Sequence, residues 1–417
     1  MNVFRQLVIN TLRPLKRGSL EFILPDGERM LFGGLFKGLN ARIEVKHEAF
    51  FRRCVLFGPI GFAEAYMEEL WETPDLVKVI AFFILNAEDN RAMEKSRGGG
   101  SGLLNVLNIY NKWIHRQRPN SLDKAKQNIG EHYDLSNDFF KLWLDPTMTY
   151  SSAWFDPPEL SLEQAQLKKY DQLCRKLQIR ENDEVVEIGT GWGGFSIYAA
   201  GTYRCRIKTL TISEEQFREA NKRIAAAGLA DRIEVILMDY RLMSGQFDKI
   251  VSIEMLEAVG DRYLEPYFAK CHDLLKPDGL LGLQIITCPD HQYAVLRDGV
   301  DFIQKHIFPG SLLLSLRRVT EAIVRTGDLN LLDFADMTPF YAKTLGLWRE
   351  KFEASRKEVE ALGFDENFIR KWRYYLAYCE AGFGSRHIGV AQVVYSRPNN
   401  LSITNPAYQL LAGRGSA

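Results

Sequence analysis

The run Asp183–Gly194, DEVVEIGTGWGG, constrains this chain more than any other stretch. Val185, Val186 and Ile188 read as a short buried strand, with Glu187 near its end. Gly189, Gly191 and Gly193 then alternate with Thr190 and Trp192. Phe195 onward reads as a helix. A strand, a glycine turn and a helix let backbone N–H groups approach a ligand closely, with a helix N-terminus aimed at it. The spacing is E-x-G-x-G-x-G, not the G-x-G-x-x-G of dinucleotide folds. A tight β-to-α turn in some other α/β protein would also use glycine in this way.

Beyond the turn the chain extends the same pattern. Ile207–Ile212, Ile233–Met238, Phe247–Ile253 and Leu280–Thr287 read as strands, with helices at Glu214–Ala227 and Arg262–Leu275 between them. The alternation predicts an α/β fold: a parallel sheet wound on both faces, with ligands beyond the carboxyl ends of its strands. Residues 289–360 break the rhythm and read as a largely helical insertion, and Gly389–Ser396 as a closing strand.

The first part of the chain reads as a separate, small α+β unit over residues 1–118. Pro25-Asp26-Gly27 between Ser19–Leu24 and Glu28–Phe32 signals a hairpin. Helical patterns follow at Glu48–Leu56, Phe62–Leu70 and Pro74–Asn86. Arg97–Gly102 reads as a flexible linker, and Leu103–Arg118 as an amphipathic helix with a basic end. Residues 119–417 then form the larger unit. In it Ser136 caps a helix over Asn137–Leu144, and Leu162–Leu177 is an amphipathic helix leading to the glycine strand.

Composition excludes several partners. Lys plus Arg and Asp plus Glu are both 53, so no net field recommends nucleic acid. No apolar run approaches the ~20 residues a membrane span needs. The six cysteines are scattered without a C-x-x-C, so neither a metal site nor a disulfide framework is expected, which suits a reducing, cytoplasmic setting.

The motifs EHYDLSNDFFKLWLD, MTYSSAWF, EIGTGWGG, TLTISEEQ, DYR, SIEMLEAVG, DFIQKHIFPG and YYLAYCEAGF occur in this order between Asn128 and Val394. Together they resemble the cyclopropane-fatty-acyl-phospholipid synthase family, which includes the mycolic acid cyclopropane synthases and related fatty-acid C-methyltransferases. The N-terminal unit resembles the extra domain of full-length bacterial members through SLEFILPDGERMLFGG and GPIGFAEAYM. The resemblance implies a class I, Rossmann-like S-adenosylmethionine (SAM) methyltransferase that forms cyclopropane rings on cis-unsaturated acyl chains of phospholipids. It also implies a homodimer in peripheral contact with the membrane.

The resemblance places cofactor contacts at Tyr150 and Ser151, at the Gly189–Gly193 turn after Glu187, and at Thr211 and Gln216. The last pair fits the residues themselves, because a hydroxyl and an amide can replace the carboxylate many methyltransferases use for ribose. Asp239, beside Tyr240 in the DYR motif, is placed to accept from the adenine amino group.

Methyl transfer to an alkene leaves a secondary carbocation, which an aromatic lining stabilises by ~2 kcal/mol per desolvated ring. Tyr133, Phe139, Tyr150, Trp154 and Phe308 are candidates by type. Removing a proton from the new methyl closes the ring. The resemblance implies a bound bicarbonate as the base, held by Glu257, by Tyr341, by the backbone amides of Ser152 and Ile286, and by a histidine that here is Gln284. Ser152 stands where the family usually has cysteine, Glu254 is an extra acid three residues before Glu257, and Ala258 replaces a common histidine. Members reading EMIEAVG also carry Gln at the 284 position. These departures gather at the deprotonation site. They leave open a methyl-branched or methylated unsaturated product, and a non-catalytic lipid-binding relative. Ile307–Leu316 followed by Arg317-Arg318 reads as an apolar surface with a basic end, suited to an anionic leaflet.

Overall fold

The computed structural model describes residues 3–34, 36–87, 136–400 and 402–403. The expected linker at Arg97–Gly102, the basic helix Leu103–Arg118, the boundary near 118 and Tyr133 lie outside the described residues.

Residues 3–87 build the small unit. Helix α1 (Val3–Leu12) leads into β1 (Arg17–Ile23), β2 (Arg29–Gly33) and β3 (Phe36–Val45). Helix α2 (Ala49–Met67), β4 (Trp71–Glu72) and α3 (Leu76–Ala87) follow. The strand order is β2-β1-β3-β4, and the β1–β2 hairpin turns at Pro25-Asp26-Gly27 as expected. The two helices expected at 48–56 and 62–70 are one helix with a break. Gly58 has φ 56° and ψ −136°, outside helical space, and Pro59 has no N–H to continue the ladder.

In the larger unit α4 (Asn137–Lys141) is capped by Ser136, and α5 (Leu162–Lys176) by a Ser161–Gln164 capping box. Strand β5 (Glu184–Ile188) is followed by α6 (Gly194–Tyr203), β6 (Arg206–Thr211), α7 (Glu214–Ala226), β7 (Ile233–Leu237), β8 (Phe247–Ile253) and α8 (Leu264–Leu274). Strand β9 (Leu275–Thr287) begins earlier than its apolar run suggests. Then come α9 (Asp290–Asp298), α10 (Phe302–His306), α11 (Leu316–Thr326), β10 (Asn330–Asp336), α12 (Thr338–Ala354), α13 (Arg356–Ala361), α14 (Glu366–Gly384) and β11 (Gly389–Ser396).

The sheet order is β10-β11-β9-β8-β5-β6-β7. Strands β5 to β9 pair in parallel, but β11 runs antiparallel to β9, and β10 antiparallel to β11. The sheet is therefore mixed, which corrects the expectation of a parallel one. Strand β10 interrupts the insertion that the sequence pattern predicts as largely helical. It lies on the sheet edge with Leu331, Leu332 and Phe334 exposed, so no alternation of buried and exposed residues marks it. Strand β5 sits between β6 and β8, where the winding reverses. The glycine turn thus opens at the switch point.

One hydrophobic core joins the small unit to the larger one, running from Phe22, Phe50 and Trp71 to Phe139, Trp143 and Trp372. Buried Arg370 of α14 crosses this junction. Its Nε donates to the Tyr66 carbonyl at 2.6 Å, it pairs with Glu72 at 2.8 Å, and its guanidinium lies 4.0 Å from the Tyr66 ring centroid. Glu64 of α2 accepts from Lys305 and faces His306. Burial alone would raise this carboxyl, but those partners hold it down at about 2.

Candidate active site

A cavity of about 1570 Å³ opens at the carboxyl ends of β5, β6 and β8. Its floor is the glycine turn. The amides of Gly189 and Thr190 both donate to the Leu210 carbonyl on β6, tying the turn to the neighbouring strand. Gly189 has φ 102°, and a Cβ there would press on Met255 at about 3.2 Å, so the position requires glycine. Gly191 also lines the cavity. Gly193 does not: it starts α6 at φ 82° and faces Ala220. Trp192 donates from Nε1 to Asn137 and packs on Phe140, which fixes α4 over the turn.

The other expected cofactor residues converge here. Tyr150, Ser151, Glu187, Thr211, Gln216, Asp239 and Tyr240 all line the cavity. The Thr211 hydroxyl donates to Gln216 Oε1 at 2.9 Å, so the two act as a unit. Glu187 is buried, and one carboxylate oxygen accepts from the Ser196 and Thr209 hydroxyls. Burial pushes its pKa up to about 7. Asp239 is less free than expected. Arg241 binds both its oxygens, at 2.9 and 2.6 Å, and holds its pKa below the usual value against the effect of burial. These groups fit SAM: a glycine turn closed to side chains, hydroxyl and amide groups at the end of β6, and acids around the rim.

Lys169 carries no local signal in the sequence. It is fully buried on α5, and its ammonium donates to the Ser151 hydroxyl at 2.7 Å. Gln166 holds the Ser151 carbonyl at 2.9 Å. Burial lowers the Lys169 pKa, while the charges of Glu254, Asp145 and Glu187 oppose that shift.

Opposite the glycine turn lies a carboxylate pair. Glu254 ends β8 with φ 48°, a left-handed backbone that costs glutamate about 1–3 kcal/mol. Three donors fix its side chain: the Ser152 amide at 2.9 Å, Gln284 Nε2 at 2.7 Å and the Tyr341 hydroxyl at 2.7 Å. Gln392 in turn donates to Gln284 Oε1 at 3.2 Å. Burial raises the Glu254 pKa, and its donors and Lys169 partly counter this. Glu257 accepts the Ile286 amide at 2.5 Å, and its second oxygen is buried without a hydrogen-bond partner. Burial and the charge of Glu254 push its pKa to about 8. At neutral pH Glu257 is therefore held mainly as the carboxylic acid.

The donors assigned by resemblance to bicarbonate are thus occupied. Ser152, Gln284 and Tyr341 hold Glu254, and Ile286 holds Glu257. A further anion does not fit among these carboxylates, because it would find its donors taken and a like charge beside it. The acid that the sequence marks only as additional is the centre of the site.

Aromatic rings surround the carboxylates. Tyr150 lies 6.1 Å from Phe308 and 5.4 Å from Trp348, and its hydroxyl donates to Tyr375 at 2.8 Å. Tyr341 packs on Phe383 at 4.3 Å. Of the rings expected around a cation, Tyr150 and Phe308 line the cavity. Phe139 is fully buried among Phe364, Phe368 and Trp372, and Trp154 packs on Phe340, so both are core residues. The expected membrane-facing segment is also corrected. Ile307, Leu312 and Leu314 are buried, Arg318 is bound by Asp261 and Glu265, and Arg317 pairs with Glu321. No helix among the described residues is long and apolar enough to cross a membrane.

A switch-point glycine turn on this sheet, with ribose-type hydrogen-bonding groups on the next strand, defines a class I SAM-dependent methyltransferase. Residues 120–393 match the family model of mycolic acid cyclopropane synthetase, and the chain belongs to that family. It is 40% identical over 353 residues to a tuberculostearic acid methyltransferase of Mycobacterium tuberculosis, covering 83% of this chain and 80% of the relative. It is 34% identical over 362 residues to cyclopropane-fatty-acyl-phospholipid synthase of Escherichia coli, covering 86% and 88%. A mycolic acid cyclopropane synthase solved with SAH and CTAB superposes with TM-score 0.61 at 30% identity, over 65% of this chain and 98% of that one.

Proposed function

We propose that this enzyme methylates the cis double bond of unsaturated acyl chains in phospholipids and closes a cyclopropane ring, with Glu254 as the base. SAM supplies the electrophilic methyl group. The observation that carries the reading is the placement of the glycine turn and the Glu254 carboxylate on one largely apolar, aromatic-lined cavity. A long hydrocarbon fits there, and water is excluded from the reacting carbons. The new C–C bond leaves positive charge on the second alkene carbon. Tyr150 and Phe308 face that charge, and the Glu254 carboxylate opposes it. Glu254 takes a proton from the transferred methyl, and the freed electron pair joins that carbon to the cationic one. Tyr341, Gln284 and the Ser152 amide hold the base in place, and its raised pKa strengthens it.

A second reading is supported by the tuberculostearic acid methyltransferase relative. If a hydride first shifts from the methylated carbon to the neighbouring cationic one, loss of a proton to the same base leaves its electron pair as a new C=C, giving a methylated unsaturated chain. Peripheral membrane contact and a homodimer belong to this proposal as well. Vesicle flotation and light scattering test them.

The experiment is incubation with SAM and monounsaturated phospholipid vesicles, followed by mass spectrometry of the acyl esters. A gain of one CH2 per alkene supports the function, and loss or retention of the double bond separates the two products. Undiminished turnover after bicarbonate removal supports Glu254 as the base. No mass gain across several lipid classes overturns the proposal.

A further inference from the structure

Two helices of the N-terminal unit carry an apolar stripe. Phe4, Leu7, Val8 and Thr11 on α1 recur at i, i+3, i+4 and i+7, and Ile80, Phe83, Ile84 and Ala87 on α3 do the same. That spacing places each set on one helix face. Both faces line the cavity that holds Glu254, joined by Cys54, Val55 and Phe62 around the break in α2. Many of these side chains, Val8, Cys54, Phe62, Phe83 and Ile84 among them, are only half-buried, because they border the cavity. Among the described residues, none of those lining it from this unit is charged.

The route from the reacting end is continuous. Tyr375 of α14 meets Tyr150, and one turn later Tyr378 and Cys379 line the same space beside Phe302 and Ile303 of α10. The volume, about 1570 Å³, exceeds the roughly 300–1,000 Å³ of a site for one small molecule. It therefore has room for a cofactor and a long chain.

We infer that the chamber between α1, α2 and α3 receives the methyl-terminal segment of the acyl chain whose double bond stands at Glu254. The inference rests on the function proposed above. A phosphate headgroup would find no cationic side chain among the described residues of this chamber, whereas a hydrocarbon tail loses nothing on entering it. The N-terminal unit is thereby a specificity element. Its depth limits the length of chain beyond the alkene.

The test uses the full chain and phosphatidylglycerol in mixed micelles, its monounsaturated acyl chain ending in a diazirine. Photolysis and peptide mapping should place adducts within residues 3–87, and Ile84→Trp should abolish them while calorimetry shows unchanged SAM affinity. Val8→Trp serves as a second variant if Ile84→Trp folds poorly. In turnover, either variant should lose tenfold or more on chains with a long segment beyond the alkene and keep its rate on short ones. Adducts confined to residues 136–400, or N-terminal adducts undiminished in the variants, overturn the inference. The label needs no turnover. A protein that labels in the chamber but never methylates would sink the proposed function and leave the chamber assignment standing.

Discussion

The Tyr341 hydroxyl donates to Glu254 Oε2 at 2.7 Å, joining the helical insertion to the last turn of a sheet strand 87 residues earlier. Burial and the neighbouring carboxylate hold the tyrosine pKa well above its usual value, so it remains a donor throughout the working pH range. The contact orients one Glu254 oxygen and leaves the basicity of the other to its remaining donors. Tyr341→Phe should cost about 1.5–3 kcal/mol, or roughly 10- to 150-fold in kcat. SAM affinity should hold, and the acid limb of the pH profile should move up, because the carboxylate loses a donor that stabilises its charged form. A variant with wild-type kcat and an unmoved limb would show that Tyr341 only packs.

Glu254 itself should be the most sensitive position. Glu254→Gln keeps the shape and the two contacts at one oxygen, turns the third into an amide donating to the Tyr341 hydroxyl, and cannot take a proton, so kcat should fall by about 10²–10⁴. Glu254→Gly relieves the left-handed backbone and empties the donors of Ser152, Gln284 and Tyr341. Added bicarbonate, formate or acetate should restore part of the activity of the glycine variant and none of the glutamine variant. Titrating each anion against turnover checks this. Absence of rescue, with the fold intact by circular dichroism, would argue against an anion site.

Much of the architecture is legible in the sequence because its signals are local. The alternation of apolar runs and helices places β5 to β8, and the glycine spacing places the turn. The hairpin is written in Pro25-Asp26-Gly27, and the first helix cap of the larger unit in Ser136. The features that escape a sequence reading depend on distant partners. Glu254 looks like a strand-end surface acid until Ser152, Gln284 and Tyr341 are folded onto it from three other segments. The nearest local sign is a second acid three residues before Glu257. Lys169 belongs to an amphipathic helix rich in charge, and only packing shows that this lysine faces inward. The apolar run after Ile307 reads as a membrane surface because burial against another part of the chain leaves no mark on composition.

The neutral member of the carboxylate pair predicts the alkaline behaviour. Glu257 has its pKa raised to about 8, so its acid form predominates below that value and ionises as pH rises through it. Ionisation places a negative charge beside Glu254, on a carboxyl whose second oxygen is buried without a partner. Turnover should therefore fall above about pH 8 in the wild type. Glu257→Gln, permanently neutral, should lose that limb and keep most of its activity at pH 7. A pH–kcat profile of both proteins decides the matter, and an unchanged alkaline limb would assign it to another group.

Lys169 acts on the site from beneath. Its ammonium touches the Ser151 hydroxyl and opposes the burial of Glu254 and Glu187. In Lys169→Met the hydroxyl loses its charged donor, and both carboxylates lose a stabilising cation. SAM affinity should weaken about tenfold, the lower end expected for a hydrogen bond to a charged group. The acid limb of kcat should move to higher pH, since the folded Glu254 then ionises less readily. Calorimetry reads the first effect and the pH profile the second. A purely structural role would lower thermal stability without moving the limb.

Arg370 should govern the union of the two units. It is 4% exposed, it satisfies the Tyr66 and Trp71 carbonyls, it pairs with Glu72, and it stacks on Tyr66. Arg370→Met keeps most of the volume but leaves two carbonyls and a carboxylate without their cation. Glu72 is half-exposed, so the cost falls mainly on the two buried carbonyls, about 1–3 kcal/mol each. The loss should fall on docking and not on the sheet of the larger unit. Hydrogen exchange should then rise in α2, β4 and α14 while β5, β6 and β8 stay protected. Because the cavity is walled by both units, long-chain turnover should drop further than SAM binding. Uniformly faster exchange across the molecule would mean that Arg370 supports the whole fold and not the junction.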